Sequence, residues 1–371
     1  MALRVSVVVP TYRRPHLLDR CLTALCAQDL SADQYEIVVA DDGNDARTRR
    51  LVAHRARETG DRPAIRYVAV TERHGPAAAR NAGWYAARAE TIAFTDDDCV
   101  PEPGWLRAGL AALDADAPTL SFTSAEAPFL IPSRASEGGR RAERAARDSL
   151  RSAGAEMGGG GAMAAVWGRI VVPLPLEPTD YERDAARLQS AGFVTANVFC
   201  RRDALIDIGG LDENFTAAWR EDSDLYFTLL ERGHGVAAAA QAVVVHPVRP
   251  ASWGASLRQQ RKILFDALLY KKHRLLYRRC IRARPPWRYY AILTALAVAA
   301  LSFTGDRPMF AMSALVVWLA LTVEFFWARM RDTSRRPLHV VEMAFTSALI
   351  PPLAIFWRVV GALRFRVVFF G

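Results

Sequence analysis

Short apolar runs alternate with longer amphipathic stretches over the first hundred residues. Val5 to Val9 is an unbroken apolar run closed by Pro10, with Thr11 and Tyr12 behind it. Such a run predicts a strand buried on both faces. From His16 to Ala27 the apolar positions return at helical spacing. A second strand, Glu36 to Ala40, ends in Asp41-Asp42-Gly43-Asn44. A third, Ile65 to Val70, leads to a small-residue helix opened by Gly75-Pro76, and a fourth, Thr91 to Thr95, ends in Asp96-Asp97-Asp98. Strand and helix in strict alternation predict an α/β fold with a parallel sheet, whose ligands gather beyond the carboxyl ends of the strands. Pro10-Thr11, Asp42 and the three aspartates all fall on that rim.

Three successive carboxylates at a strand end repel one another, which raises their pKa values or weakens the fold unless a cation is close. Oxygen donors at this density suit Mg²⁺ or Mn²⁺, ions usually held by one or two carboxylates plus substrate phosphates. Taken alone, an Asp triplet can equally be a solvated acidic turn. Its company on the same rim favours the ligand-binding reading.

The stretches VSVVVPTYRRPHLL, VVADDGNDART, GPAAARNAGW, IAFTDDDCVPEPGWL, FVTANVFCRRDALIDIGGLDENF and WREDSDLYFTLLERG resemble family 2 glycosyltransferases of GT-A fold, in the family's order and across most of residues 4 to 246. The resemblance implies a nucleotide-diphosphate-sugar donor, a mostly inverting reaction and a divalent cation held by a D-x-D motif. By similarity Asp96 and Asp98 form that pair, with Asp98 as direct ligand and Asp96 nearer ribose and phosphate, and Asp97 in the variable middle position of the nucleotide-sugar site. Asp42 resembles the acid that accepts a hydrogen bond from the base, flanked by the backbone of Pro10, Thr11 and Tyr12. Arg80 resembles the arginine that reaches nucleotide or pyrophosphate, a task suited to a permanent guanidinium charge. Otherwise it is a surface arginine on an alanine-rich helix.

A second acidic centre is Arg220-Glu221-Asp222-Ser223-Asp224. Inverting transfer needs one base to take the acceptor hydroxyl proton, an effect typically worth about 10²–10⁴-fold. The resemblance places that role on Asp222, with Glu221 holding acceptor hydroxyls and Trp219 available to stack on a sugar face. The same acids also suit a helix N-terminus, where the dipole favours negative charge. His246 closes the run Val243-Val244-Val245, and the resemblance makes it a third metal ligand, better matched to Mn²⁺ than to Mg²⁺. The remaining histidines lack a partner pattern and read as solvated.

Between about 120 and 165 the chain is rich in Ala, Arg, Gly and Ser, with Gly158 to Gly161 in succession, and reads as a mobile insertion without catalytic residues. Charge then divides the chain in two. From Val248 onward there are 20 basic against 5 acidic residues, and before it 28 against 34. The basic balance therefore does not belong to the catalytic part, and nucleic acid is a poor partner for it.

Trp253 to Arg279 is a basic amphipathic pattern, with Leu257, Leu264, Leu268 and Leu275 among lysines and arginines, and predicts a helix lying on an anionic membrane surface. Three apolar stretches follow, near 289–303, 309–328 and 338–357. The second is long enough to cross a bilayer. The third contains Glu342 and Pro351-Pro352, which break a straight helix. Arginines crowd before the first stretch and between the second and third. The positive-inside rule predicts two spans, a cytoplasmic catalytic domain and a third segment bent at the prolines as a re-entrant or surface-lying hairpin.

The domains predicted are thus 1–247 (GT-A), 248–284 (interfacial) and 285–371 (membrane-embedded). No signal peptide precedes the first strand, and five cysteines without metal spacing suit a reducing compartment. The reading is a membrane-attached inverting glycosyltransferase using a UDP-sugar, Mn²⁺ or Mg²⁺, and a lipid-linked or envelope glycan acceptor. Its rivals are a sugar-nucleotidyltransferase and a catalytically silent nucleotide-sugar-binding scaffold.

Overall fold

The computed structural model describes residues 2–115 and 163–371. The insertion expected at 120–165 lies outside them, except that Met163 to Ala165 already belong to a strand. The described chain forms two compact units: Met1–Pro173 with Arg187–Pro247, and Leu174–Ala186 with Val248–Gly371. One division falls after Pro247, and 174–186 groups with the second unit rather than with the sequence around it.

In the first unit, β1 (Val5–Thr11), β2 (Tyr35–Asp41), β3 (Ala64–Ala69) and β4 (Thr91–Phe94) are joined by α1 (Pro15–Cys26), α2 (Ala46–Glu58) and α3 (Pro76–Ala86). After β5 (Val100–Pro101) and α4 (Trp105–Asp114) come β6 (Met163–Val171), β7 (Val198–Arg201) and β8 (Gly235–Val245). The strand order is β3-β2-β1-β4-β7-β6-β8-β5. The first four strands are parallel, as the alternation predicted. The sheet is mixed beyond them, because β7 runs antiparallel to both β4 and β6, and β5 antiparallel to β8. The sequence pattern missed this reversal, since an antiparallel return needs no helix of its own.

Val5, Val7, Val8 and Val9 are fully enclosed, so continuous apolarity in β1 reflects cover on both faces. Helix α3 lies so close to β1 that a Cβ on Gly83 would stand 2.3 Å from a Val8 methyl. Only glycine allows that approach. This packing sets where Arg80 and Asn81 emerge relative to the strand ends. Helix α5 (Asp180–Ala185) belongs to the second unit, and the first is completed by α6 (Arg202–Ile208) and α7 (Glu221–Glu231).

The second unit is helical: α8 (Ala255–Gln259), α9 (Leu264–Lys272), α10 (Arg274–Leu276), α11 (Trp287–Thr304), α12 (Pro308–Met330) and α13 (Pro337–Arg364). The single amphipathic helix expected over 253–279 is instead broken at His273, whose backbone leaves the helical region. Leu264 and Leu268 are buried while Leu275 is exposed, so the four leucines do not share one face. Helices α11, α12 and α13 are each long and apolar enough to cross a membrane. The expected bend at Pro351-Pro352 is absent and α13 runs through both prolines. Each proline removes an amide donor, but neighbouring contacts hold the segment. Arg329 donates to Thr346 Oγ1 and Ser347 Oγ at 2.8 and 3.0 Å, and Ile350 packs against Ile292 and Phe325.

Candidate active site

The parallel strands deliver their acids to the rim, where adjacent aspartates meet opposite fates. Asp41 is fully buried and accepts from Gly43 N, Asp45 N and the Tyr67 hydroxyl. It shapes the turn. Asp42, next in sequence, accepts from Gly75 N at 3.0 Å and meets His74 Nδ1 at 2.8 Å. Gly75 has φ 120°, and a Cβ there would stand 3.0 Å from the Thr216 backbone, so glycine is required for its amide to reach Asp42. Asp42, Tyr12, Arg13, His74 and Thr216 line a cleft of about 670 Å³. His74 is exposed, as expected, and also lines the cleft. Of the predicted Pro10-Thr11-Tyr12 flank only Tyr12, half exposed, opens outward. Thr11 is buried and spends its hydroxyl on Asp97 at 2.7 Å.

Asp97 was expected at the nucleotide sugar, but it points into the protein. It is enclosed by Thr11 and by Arg14, whose guanidinium stands 3.0 Å away. Burial pushes its pKa up to about 6, against the opposing pull of Arg14 and Thr11. It buttresses β1 rather than offering a ligand face.

Arg80 is not a surface arginine. It is 3% exposed and committed to protein carboxylates: Nη2 to Asp96 Oδ1 at 2.6 Å and Nη1 to Glu221 Oε1 at 3.4 Å. A guanidinium so enclosed positions these acids instead of reaching freely to pyrophosphate. It thereby ties the end of β4 to the start of α7. Burial opposes ionisation of Asp96, but Arg80, with His246 and Arg14 behind it, holds that carboxyl below the usual range. Burial, then the charge of Asp222, pushes Glu221 up to about 8. Burial also raises Asp222, partly offset by the Ser223 amide and Arg220.

Helix α7 begins abruptly. Arg220 has φ 76°, an uncommon backbone for a side chain of its size, and its guanidinium lies 4.6 Å from the Trp219 ring centre. The strained step aims Glu221, Asp222 and Asp224 at the helix start, where the dipole favours anions. Asn81, which the sequence reading passed over, fixes the segment between α6 and α7. It donates to Leu211 O and Glu213 Oε1 and accepts from Leu211 N.

Across the rim, Asp98, Cys99 and His246 bring one donor atom each within 4.8 Å of one another. His246 Nε2 lies 3.5 Å from Asp98 Oδ1, and the two side chains are 13% and 4% exposed. Carboxylate plus imidazole fits a divalent cation and favours Mn²⁺ over Mg²⁺. Cys99 was not foreseen, because one cysteine carries no spacing signal. Burial, with Asp96 and Asp98 nearby, pushes its thiol well up. Asp96, predicted as a ligand, stands outside this group and faces Arg80.

Residues 6–149 match the family model described as glycosyl transferase family 2, and residues 181–328 match glycosyl transferase family group 2. The chain is similar to glycosyltransferase AglE of Haloferax volcanii, 24% identical over 261 residues, or 70% of this chain and 71% of that protein. It is 39% identical to validoxylamine A glucosyltransferase of Streptomyces hygroscopicus over 115 residues, 31% of this chain and 26% of that relative's length. Among solved structures, a mannosyltransferase from Pyrobaculum calidifontis in complex with GDP-Man and Mn²⁺ aligns with a TM-score of 0.49 at 16% identity, covering 99% of this chain and 88% of that one.

Proposed function

From the premise that this chain belongs to glycosyl transferase family 2, we propose that it transfers a sugar, with inversion, from a UDP-sugar to a hydroxyl of a lipid-linked or envelope glycan. The observation that carries this reading is the enclosed Arg80 between Asp96 and Glu221. One guanidinium gathers acids from two distant parts of the sequence into one cluster, one set suited to the donor and the other to the acceptor.

Asp42 and Tyr12 hold the base in the cleft they line. Glu221, protonated near neutrality, donates to an acceptor hydroxyl, while Asp222 accepts the proton of the attacking one. The acceptor oxygen forms a bond to the anomeric carbon as the bond to the phosphate oxygen breaks, and the nucleoside diphosphate departs. A divalent cation held by Asp98 and His246, with Asp96 close by, supplies Lewis-acid neutralisation of charge on the departing diphosphate. Three apolar helices and the basic balance of residues 248–371 support attachment to a membrane, with the catalytic unit on its cytoplasmic face.

The test is a panel of nucleotide sugars offered to isolated membranes with Mn²⁺ or Mg²⁺, reading nucleotide release and the anomeric configuration of the product. Inverted product from a UDP-sugar is expected. Retained configuration would remove Asp222 as base. Donor binding without any transfer would favour the silent scaffold.

A further inference from the structure

Length and apolarity make α13 the longest candidate span, at 28 residues, or about 42 Å at 1.5 Å per residue. Its partners tell against a crossing. Helices α11 and α12 form a hairpin whose tip is Gly305 to Arg307 and whose base is marked by Arg288 donating to Glu324 at 2.8 Å. The side-chain contacts that locate α13 run from the base of this hairpin to about midway along α12, where Trp318 and Leu321 pack on the cluster that Ile350 shares with Ile292 and Phe325. Thr346 and Ser347 accept from Arg329, in the last turn of α12. Ile350 meets Ile292 and Phe325. Arg358 lies within electrostatic reach of Tyr289 and Arg282, at and just before the start of α11. Beyond the helix, Phe370 O accepts from the Tyr290 hydroxyl at 2.8 Å, and Gly371 sits on Pro286.

From Ser347 to Arg364 the helix advances by about 26 Å. A third span would use that advance to move from base to tip. Here the partners on α11 pass from Ile292 to Tyr289, then to Tyr290 and Pro286, never toward Thr304.

We propose that α13 lies in the membrane plane beneath the α11–α12 hairpin, with its exposed side in the acyl–headgroup boundary of one leaflet. This rests on the membrane attachment proposed above and adds to it the number of crossings, two. Leu338, Val341, Phe345, Phe356, Val359 and Leu363 are all exposed and recur at helical spacing along one side. Met343, Ile350, Ala354 and Arg358 are buried on the other. An apolar stripe of this kind, flanked by basic residues, fits an interfacial helix. Charge agrees with the geometry. Arg282, Arg288, Arg329, Arg336, Arg364 and Arg366 then share one membrane face, whereas a third crossing would carry Arg364 and Arg366 to the opposite side, against the positive-inside bias.

The test uses the full chain in intact cells, with Asp306→Cys, Arg336→Cys and Arg364→Cys made singly and the parent protein as the labelling blank. A membrane-impermeant maleimide is applied before or after the cells are broken. The expected result is outside labelling at 306 alone, with 336 and 364 labelled only after breakage. A fluorescent protein fused after Gly371, which matures only in the cytoplasm, should fluoresce. Outside labelling at 364 but not 336, with a dark fusion, would make α13 a third span and overturn the proposal. No outside labelling at 306 would remove the spanning hairpin itself, and with it the membrane attachment on which this proposal stands.

Discussion

The two units of this chain treat charge and apolar surface in opposite ways. In the first, carboxylates are drawn inward and matched: Arg80 serves Asp96 and Glu221, Arg14 serves Asp97, and Arg66 stands 3.1 Å from the enclosed Glu36. In the second, basic residues outnumber acidic ones fourfold from Val248 onward, and large apolar side chains such as Phe310, Trp327 and Phe345 stand exposed. A unit immersed in water hides apolar surface and can spend burial on arranging charge. A unit that meets lipid leaves apolar groups outside and keeps its arginines at the edges.

Substitution and metal removal can put that contrast at risk. The largest effect belongs to Asp222→Asn, which should lower transfer by about 10²–10⁴-fold while donor binding, measured by calorimetry with the intact nucleotide sugar, persists. Loss of both together would mean that Asp222 shapes the site instead of acting in it. Arg80→Met should come next. Removing one member of a buried, paired set leaves the others uncompensated and costs about 3–5 kcal/mol, so denaturant midpoints should fall sharply. Chelation of divalent ions should abolish transfer, with Mn²⁺ restoring it better than Mg²⁺. His246→Gln should narrow that preference, read from metal titrations of the initial rate.

The smaller effects concern protons and lipid. Glu221 holds its proton more tightly folded than unfolded, so it weakens the fold as pH rises from the ordinary carboxylate range toward about 8. Glu221→Gln should flatten that part of the stability–pH curve and leave the variant relatively more stable at the alkaline end, as seen in melting temperature against pH. Least of all, Phe345→Ser on the exposed stripe of α13 should stay within about 0.5 kcal/mol in detergent, where the same loss inside the catalytic unit would be costly.

Much of the catalytic unit was legible because strand ends are punctuated: apolar runs stop where the acids of the rim begin. Asp42, Asp96, Asp98, Asp222 and His246 could be picked out by type and place. Which way each carboxylate turns could not, since neighbours at a strand end diverge. Asp41 and Asp97 are the inward members of their clusters, held by Tyr67 and by Thr11 with Arg14. Asn81 and Cys99 escaped notice because their partners, Leu211 and His246, lie more than a hundred positions away. In the helical unit the apolar stretches were plain, yet the proline pair taken for the bend of a hairpin lies inside one continuous helix.

Local pattern by itself determined the parallel half of the sheet, the acidic rim and the apolar helices, because those depend on residues a few positions apart. The pairing of Arg80 with Glu221 across 141 positions, the reversal of β7, the regrouping of 174–186 and the partners of α13 were decided only in the folded state. Their physical reason is shared: burying a charge or a helix face is favourable only against a specific partner, and distant chain segments supply that partner when the whole molecule closes.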